Sequence, residues 1–331
     1  MTRPYSTWLL VLLPPLLYIH HRYIFPKFLY PTSKQPRQKL IIPSSERVVI
    51  LGSSSGIGRV IANKYAKRGA FVCVVGRRKE KVDEVVGECR KLVGGDVDNK
   101  IIGFTGDVAD VDAMERLRGI IEHTPGWKGL DSLIVAAGVS SVKPLLDITP
   151  GVHRVVTAAE AALRGNYIGP LVAATTFIPL LSHTSPCPSI HLISSLASVI
   201  PAPTRSLYGS TKSASLVLYQ ALSIERPDIN WSYVLPSTVR GKFREGAVDV
   251  WPGERDEDGS TPGPLTVDDA HGGAQEGLTP EQVADTSIHA IDTQHSRPIF
   301  IPGYMRLAHW IYWVWPGWVE ERARRKYGFT V

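Results

Sequence analysis

Cysteine is scarce: Cys73, Cys89 and Cys187 are the only three in 331 residues. They form neither an even disulfide set nor a metal-ligand spacing, which excludes a disulfide framework and a structural zinc site. Cys73 lies inside an apolar run and reads as buried and inert, a usage that fits a reducing compartment. No internal repeat is visible, so the chain is not an array of units. No aromatic-and-basic motif lies in its middle, which sets aside nucleic acid as the reason for a formal net charge of +6. An unbroken apolar run is missing too. Trp8 to Ile19 reads WLLVLLPPLLYI, uncharged but interrupted by Pro14 and Pro15, and short of the ~20 residues a spanning helix needs.

Charge is concentrated at the ends. Arg22, Lys27, Lys34, Arg37 and Lys39 follow the N-terminal apolar run, and Arg322, Arg324, Arg325 and Lys326 follow Trp310, Tyr312, Trp313, Trp315 and Trp318. Basic clusters beside apolar or aromatic runs suit an anionic membrane surface. No small-residue cleavage site follows residue 19; His20-His21-Arg22-Tyr23 stands there instead, which favours an uncleaved anchor, spanning or lying in the membrane. The basic excess after the run puts the bulk of the chain on the cytosolic side, and an endoplasmic reticulum membrane is the expected address. Asn230-Trp231-Ser232 is a glycosylation sequon, but it opens a segment expected to be a buried strand and reads as a chance match.

Between the ends, strand-like runs alternate with helical ones: RVVIL (47–51), FVCVV (71–75), KIIGF (100–104), SLIVAA (132–137), IHLIS (190–194), WSYVL (231–235) and PIFIP (298–302). Helical stretches are expected over 77–93, from about Asp110, over 152–182 and from about Ser206. Near-continuous apolar strands separated by helices indicate a parallel sheet covered on both faces. The expected fold is α/β, a doubly wound parallel sheet of Rossmann type, over residues 46–303. Residues 1–45 form anchor and linker, and 304–331 an aromatic and basic tail.

Strand 47–51 runs into Gly52-Ser53-Ser54-Ser55-Gly56-Ile57-Gly58, followed by a helical stretch and a second strand. That setting is the one a dinucleotide loop requires. Gly52 permits the tight turn, Gly56 the approach of backbone to pyrophosphate, and Gly58 the close packing of helix on strand. The helix N-terminus offers free N–H groups to phosphate. Where an acid would bind the adenosine ribose hydroxyls stands Gly76, with Arg77 and Arg78 beside it. A guanidinium fork matches a 2′-phosphate, so NADP (NADPH) is expected over NAD.

Ser195 lies just past strand 190–194, and Tyr208 and Lys212 follow within YGSTK. Positions i and i+4 share a helix face. An ammonium beside a phenol lowers the tyrosine pKa and lets it act as acid or base near neutral pH. With GSSSGIG, Gly-Asp107-Val108, Asn166 in RGNYIGP, ISSLAS and YGSTK in this order and spacing, the chain resembles the short-chain dehydrogenase/reductase family over nearly all of 46–303. The resemblance implies that Tyr208 gives or takes the proton and that Ser195 orients the substrate. It also implies that Lys212 binds the nicotinamide ribose while Asn166 holds a water relaying protons to Lys212. Asp107 and Val108 would flank the adenine; Ser54, Ser55 and Ile57 in the loop and Val239 after strand 231–235 complete the implied cofactor contacts.

The chain departs from the family pattern at Leu51, at Val135-Ala136-Ala137-Gly138, at Pro236-Ser237 and at Gly241, none of which removes a reacting group. Residues 241–279, rich in Gly, Pro and acids, form a lid over the substrate or a loose loop. The membrane-seeking ends suggest a lipophilic alcohol or ketone, such as a steroid, keto-lipid or terpenoid. The expected partners are that small molecule and membrane lipid, without nucleic acid and with room for a homo-oligomer. Two alternatives stay open: a soluble carbonyl substrate with the anchor serving location alone, and a cofactor-bound scaffold or redox sensor without turnover.

Overall fold

The computed structural model describes residues 36–93, 99–254 and 277–329. The apolar run 8–19 and residues 255–276 of the expected lid lie outside the described residues. Seven strands, β1 (Arg47–Leu51), β2 (Phe71–Gly76), β3 (Ile101–Thr105), β4 (Ser132–Val135), β5 (Ser189–Ile193), β6 (Asn230–Pro236) and β7 (Pro298–Ile301), form one sheet in the order β3-β2-β1-β4-β5-β6-β7. Every pairing is parallel. The order reverses beside β1, so this is the doubly wound arrangement, whose crevice lies at the C-terminal ends of the strands.

Strand side chains alternate between faces, and both faces are covered. Val49 and Leu51 point into a core with α3 (Val111–His123), α5 (Gly169–Thr184) and α6 (Ser206–Glu225). Val48 and Ile50 point into a second core with α1 (Gly56–Lys67), α2 (Lys79–Val93) and α7 (Pro280–Asp292). A helix opens where a cap allows it. Asp110 accepts the Ala113 N–H at the start of α3, and Thr279 and Gln282 form a reciprocal capping box at α7, with Pro280 at the first turn. The sequence reading passed over α7, although that capping signature was present. The aromatic tail forms two further helices, α8 (Met305–Val314) and α9 (Pro316–Lys326).

The stretch expected as one helix over 152–182 differs. It begins as α4 (Gly151–Leu163), passes through a π-helical turn at Arg164–Ile168 and continues as α5 to Thr184. A π-helical turn is a local change of hydrogen-bond pattern, which residue types and apolar spacing do not specify. Asn166 sits inside the bulge. Below the sheet, Arg37 is buried and joins Glu46 at 3.1 Å, also donating to Ser132 Oγ at 2.9 Å. Arg37 and Glu46 thus tie residues 37–46 to the base of the sheet. Asn230 of the sequon is buried in β6. Among the described residues, no helix is long and apolar enough to cross a membrane.

Candidate active site

The glycine loop is stitched to β2: Gly52 N and Ser53 N both donate to Val75 O at 3.0 Å, and Ser53 Oγ accepts from Val75 N at 2.9 Å. Two of its glycines are enforced by backbone. A Cβ on Gly52, where φ is +84°, would come 2.5 Å from Ala137 N, and one on Gly58 would come 2.4 Å from Gly52 O. Gly56 differs. Its φ is +55° and a Cβ there would meet nothing within 4 Å, so the loop leaves a cradle above it. Ser55, the residue before α1, makes no side-chain cap, and the first N–H groups of α1, from Gly56, Ile57 and Gly58, face that cradle uncapped by it. An uncapped helix end with open space above a glycine fits a dinucleotide pyrophosphate. Arg77 and Arg78 follow β2 and are exposed.

After β3, Asp107 Oδ1 accepts from Ala109 N at 3.0 Å, and Oδ2 lies 3.1 Å from Arg164 of the bulge. Val108, the next residue, is buried against Gly169, where a Cβ would be 2.7 Å from Val108 Cγ2. After β6, Val239 pairs with Leu278 in a parallel bridge. Residues expected at the cofactor thus gather at the C-terminal edge of the sheet, at the ends of β1, β2, β3 and β6.

Ser195 follows β5 and opens a short 3-10 turn, Leu196–Ser198. Its Oγ accepts from Ala197 N at 3.2 Å, and the hydroxyl lies close enough to the Tyr208 phenol to pull its pKa down. What brings α6 this close is Gly209, the next residue: a Cβ there would lie 2.9 Å from Ala197 O. Ser213 Oγ donates to Ser198 O at 2.7 Å and fastens the same contact one turn later. Phe243, beyond β6, meets the Tyr208 ring edge-on with centroids 6.1 Å apart.

Lys212 lies one turn along α6, with 4% of its surface exposed, and Nζ donates to Ile193 O at 3.1 Å. Asn166 is fully buried. Its Oδ1 accepts from Val139 N at 2.8 Å, while Nδ2 donates to Val139 O at 3.0 Å and Thr211 Oγ1 at 3.1 Å. A Cβ on Gly138 would lie 2.9 Å from Asn166 Oδ1 and 3.2 Å from Lys212 Nζ, so these two groups converge on a single glycine. Both amide protons of Asn166 are engaged, which leaves an Oδ1 lone pair as the side chain's remaining means of holding a water.

Burial pushes the Lys212 ammonium down to about 8 from 10.5. Burial also raises the Tyr208 phenol, against lowering by the Ser195 hydrogen bond and by the charges of Arg205 and Arg244. The lowering influences on Tyr208 come from Ser195, Arg205 and Arg244. Sequence reasoning missed Phe243, Arg205 and Arg244, which belong to no local motif. Among the described residues Cys73, Cys89 and Cys187 are buried and joined in no disulfide, and burial holds the Cys89 thiol up at about 12.

Comparison with known proteins bears on this arrangement. The short chain dehydrogenase profile matches residues 46–247. The 11-beta-hydroxysteroid dehydrogenase-like 3 protein of Arabidopsis thaliana is 33% identical over 238 residues, 71% of this chain and 73% of that protein. The related 4A protein of the same plant is 31% identical over 193 residues, and the chain spans 60% of its length. Among solved structures, a 7-alpha-hydroxysteroid dehydrogenase complexed with NADH and 7-oxo glycochenodeoxycholic acid superposes with a TM-score of 0.61 at 17% identity, covering 78% of this chain and 93% of that one. An alcohol dehydrogenase of Thermococcus sibiricus complexed with 5-hydroxy-NADP gives 0.59 at 20%, covering 77% and 95%. At these identities, the structures are similar in fold.

Proposed function

The chain belongs to the short-chain dehydrogenase family of NAD(P)-dependent oxidoreductases, and from that premise we propose that it interconverts a secondary alcohol and a ketone on a lipophilic molecule, using NADP(H). A bound nicotinamide dinucleotide supplies or accepts the hydride; the proton is handled by the chain. The Tyr208 phenol, raised by burial, carries its proton at neutral pH and donates it to a carbonyl oxygen. The Ser195 hydroxyl, beside that phenol, holds the same oxygen in place. Lys212 stands one turn along α6 as a mostly charged ammonium near neutral pH, there to favour the phenolate once the proton has left and to bind the nicotinamide ribose. Asn166 pins the π-helical turn to the backbone beside Gly138 and offers its remaining lone pair to a relay water. The observation that carries the reading is the pairing of Ser195 with Tyr208 at the rim that also bears the glycine cradle.

The preference for NADP(H) rests on Gly76 with exposed Arg77 and Arg78 at the end of β2. The lipophilic substrate and the membrane address rest on α8 and its flanks, whose outward side is apolar: Leu307, Trp310, Trp313 and Val314 are exposed, Trp313 to 75% and Val314 to 78%. Arg322, Arg324, Arg325 and Lys326 follow on α9, and aromatic rings beside cations suit an anionic headgroup layer. Phe243 adds an apolar wall next to Tyr208. The test is purified protein with NADPH and ketones graded in hydrophobicity. Turnover rising from small soluble ketones to steroid or terpenoid ketones supports the proposal. Turnover confined to soluble carbonyls leaves the anchor to serve location alone, and none with any ketone favours the scaffold.

A further inference from the structure

We infer that Asp249 and Arg205 are positioning residues for the Tyr208 phenol. The buried Asp249 carboxylate fixes segment 140–143, and a carbonyl of that segment holds the Arg205 guanidinium at the start of α6, just ahead of the phenol. The inference rests on the reading of Tyr208 as the proton carrier and adds the residues that set the charge around it. Asp249 lies in the loop beyond β6 and is fully buried. Its Oδ2 accepts from Ser141 Oγ at 2.9 Å, from Val142 N at 2.7 Å and from Lys143 N at 2.7 Å. Val248 N donates to Ser140 O at 2.9 Å, and Val142 packs with Ala247 and Val250 in a small core between loop and segment. Arg205 Nη1 donates to Ser141 O at 2.7 Å. Ser141 therefore gives its hydroxyl to the carboxylate and its carbonyl to the cation. Just before the segment, Val139 is held by Asn166 through both its N–H and its C=O.

Three donors on one buried oxygen fix the path of the segment, since each would lose its partner in the interior if the segment moved. A guanidinium fastened to a fixed carbonyl presents its charge from one place. That charge reaches the phenol: Arg205 and Arg244 both lower Tyr208 against the effect of burial. Around the phenol also stand Ser195 from the end of β5, Lys212 one turn along α6, and Phe243 from the loop beyond β6. Arg244 belongs to that loop and lies 3.5 Å from Thr238 Oγ1, whereas Arg205 is fastened to the segment that Asp249 holds. Glu254, farther along the loop, accepts from Lys143 Nζ at 2.7 Å and from Arg154 Nη1 at 2.9 Å. It clasps the loop through side chains and leaves the backbone of the segment to Asp249.

The acid limb of the pH profile for alcohol oxidation reads the phenol, because Tyr208 must lose its proton before it can take one from the alcohol. The full chain is assayed with NADP+ and menthol. Tyrosinate absorbance of each protein against its own Tyr208→Phe counterpart titrates the same phenol without substrate. Arg205→Met removes a cation, so the phenol keeps its proton longer and the limb should move up by about one pH unit. Arg205→Lys should move it less. Asp249→Ala should also move it up, and no further when combined with Arg205→Met, since Asp249 acts through that residue. Loss of the Asp249 charge acting directly on the phenol would have the opposite sign and move the limb down. Asp249→Asn keeps an oxygen for the three donors and should not move it up. Glu254→Gln should leave it in place. Should Asp249→Ala fail to fold, Asp249→Glu keeps the charge, displaces the acceptor by one methylene and should shift the phenol upward. A phenol unmoved by Arg205→Met, lowered by Asp249→Ala or raised equally by Glu254→Gln would overturn the inference. A limb that persists in Tyr208→Phe would instead remove the Tyr208 reading, while the titration still reports on Arg205.

Discussion

Lys212 is a charge held where water does not reach, and replacing it with methionine should make the protein more stable. The fall from 10.5 to about 8 corresponds to about 3 kcal/mol of penalty on the ammonium. The group is almost wholly buried, so solvent screening takes little from that figure. Methionine is close in length and fills the space, but it cannot donate to Ile193 O, and loss of that bond costs about 1 kcal/mol. The net expectation for Lys212→Met is a gain of about 2 kcal/mol near pH 7. The sign follows from the depressed pKa. Above about 10.5 the lysine is neutral in both folded and unfolded chains and no penalty exists; it grows as pH falls and is complete below about 8. The advantage of Lys212→Met should therefore shrink as pH rises from about 8 to 10.5, and reverse there through the lost hydrogen bond. Cys73 and Cys89, with thiols raised by burial, lower stability at high pH in both proteins and cancel in the difference. Urea unfolding of the pair near pH 7 and near pH 10 measures it. A variant no more stable than its parent near pH 7, or a difference that does not change with pH, would refute the reasoning. The variant should also be inactive, since a charge kept at such a cost is expected to have a function.

Arg77→Ala should narrow the affinity gap between NADP(H) and NAD(H), expected at about tenfold or 1.4 kcal/mol, chiefly by weakening NADP(H); fluorescence titration of both cofactors reads it. Gly209→Ala should drive α6 away from Ala197 O, 2.9 Å from the added Cβ, and lower kcat about tenfold while cofactor affinity changes little, as kinetics beside titration will show. In sealed microsomes, added protease should degrade the catalytic domain without detergent, and the chain should carry no endoglycosidase-sensitive mass. Protection of residues 46–303 until detergent is added would reverse the proposed orientation.

Much of the fold could be read from local patterns because a buried parallel strand needs an apolar run, and seven such runs were there. The dinucleotide loop was legible for a similar reason: Gly52 and Gly58 are required by backbone contacts that no other residue tolerates. Tyr208 and Lys212 were legible through helical spacing, and Ser195 through its place after β5. Other features depend on distant contacts. The π-helical turn at Arg164–Ile168 is a change of hydrogen-bond pattern that residue types do not specify, and Phe243 and Arg244 come to the phenol from one loop beyond β6. The direction of the Tyr208 shift depends on burial, which a motif does not record. Only α7 had a readable signature, Thr279-Pro280 with Gln282, that went unused.

The central claim is that Tyr208 moves the proton, and Tyr208→Phe tests it most directly. The substitution keeps the ring and its edge contact with Phe243 and removes the hydroxyl alone. With NADPH and a hydrophobic ketone that the unaltered protein reduces, the variant should bind the cofactor as before and turn over roughly 10²-fold more slowly or less. Unchanged turnover with intact cofactor binding would assign the proton to another group and contradict the account.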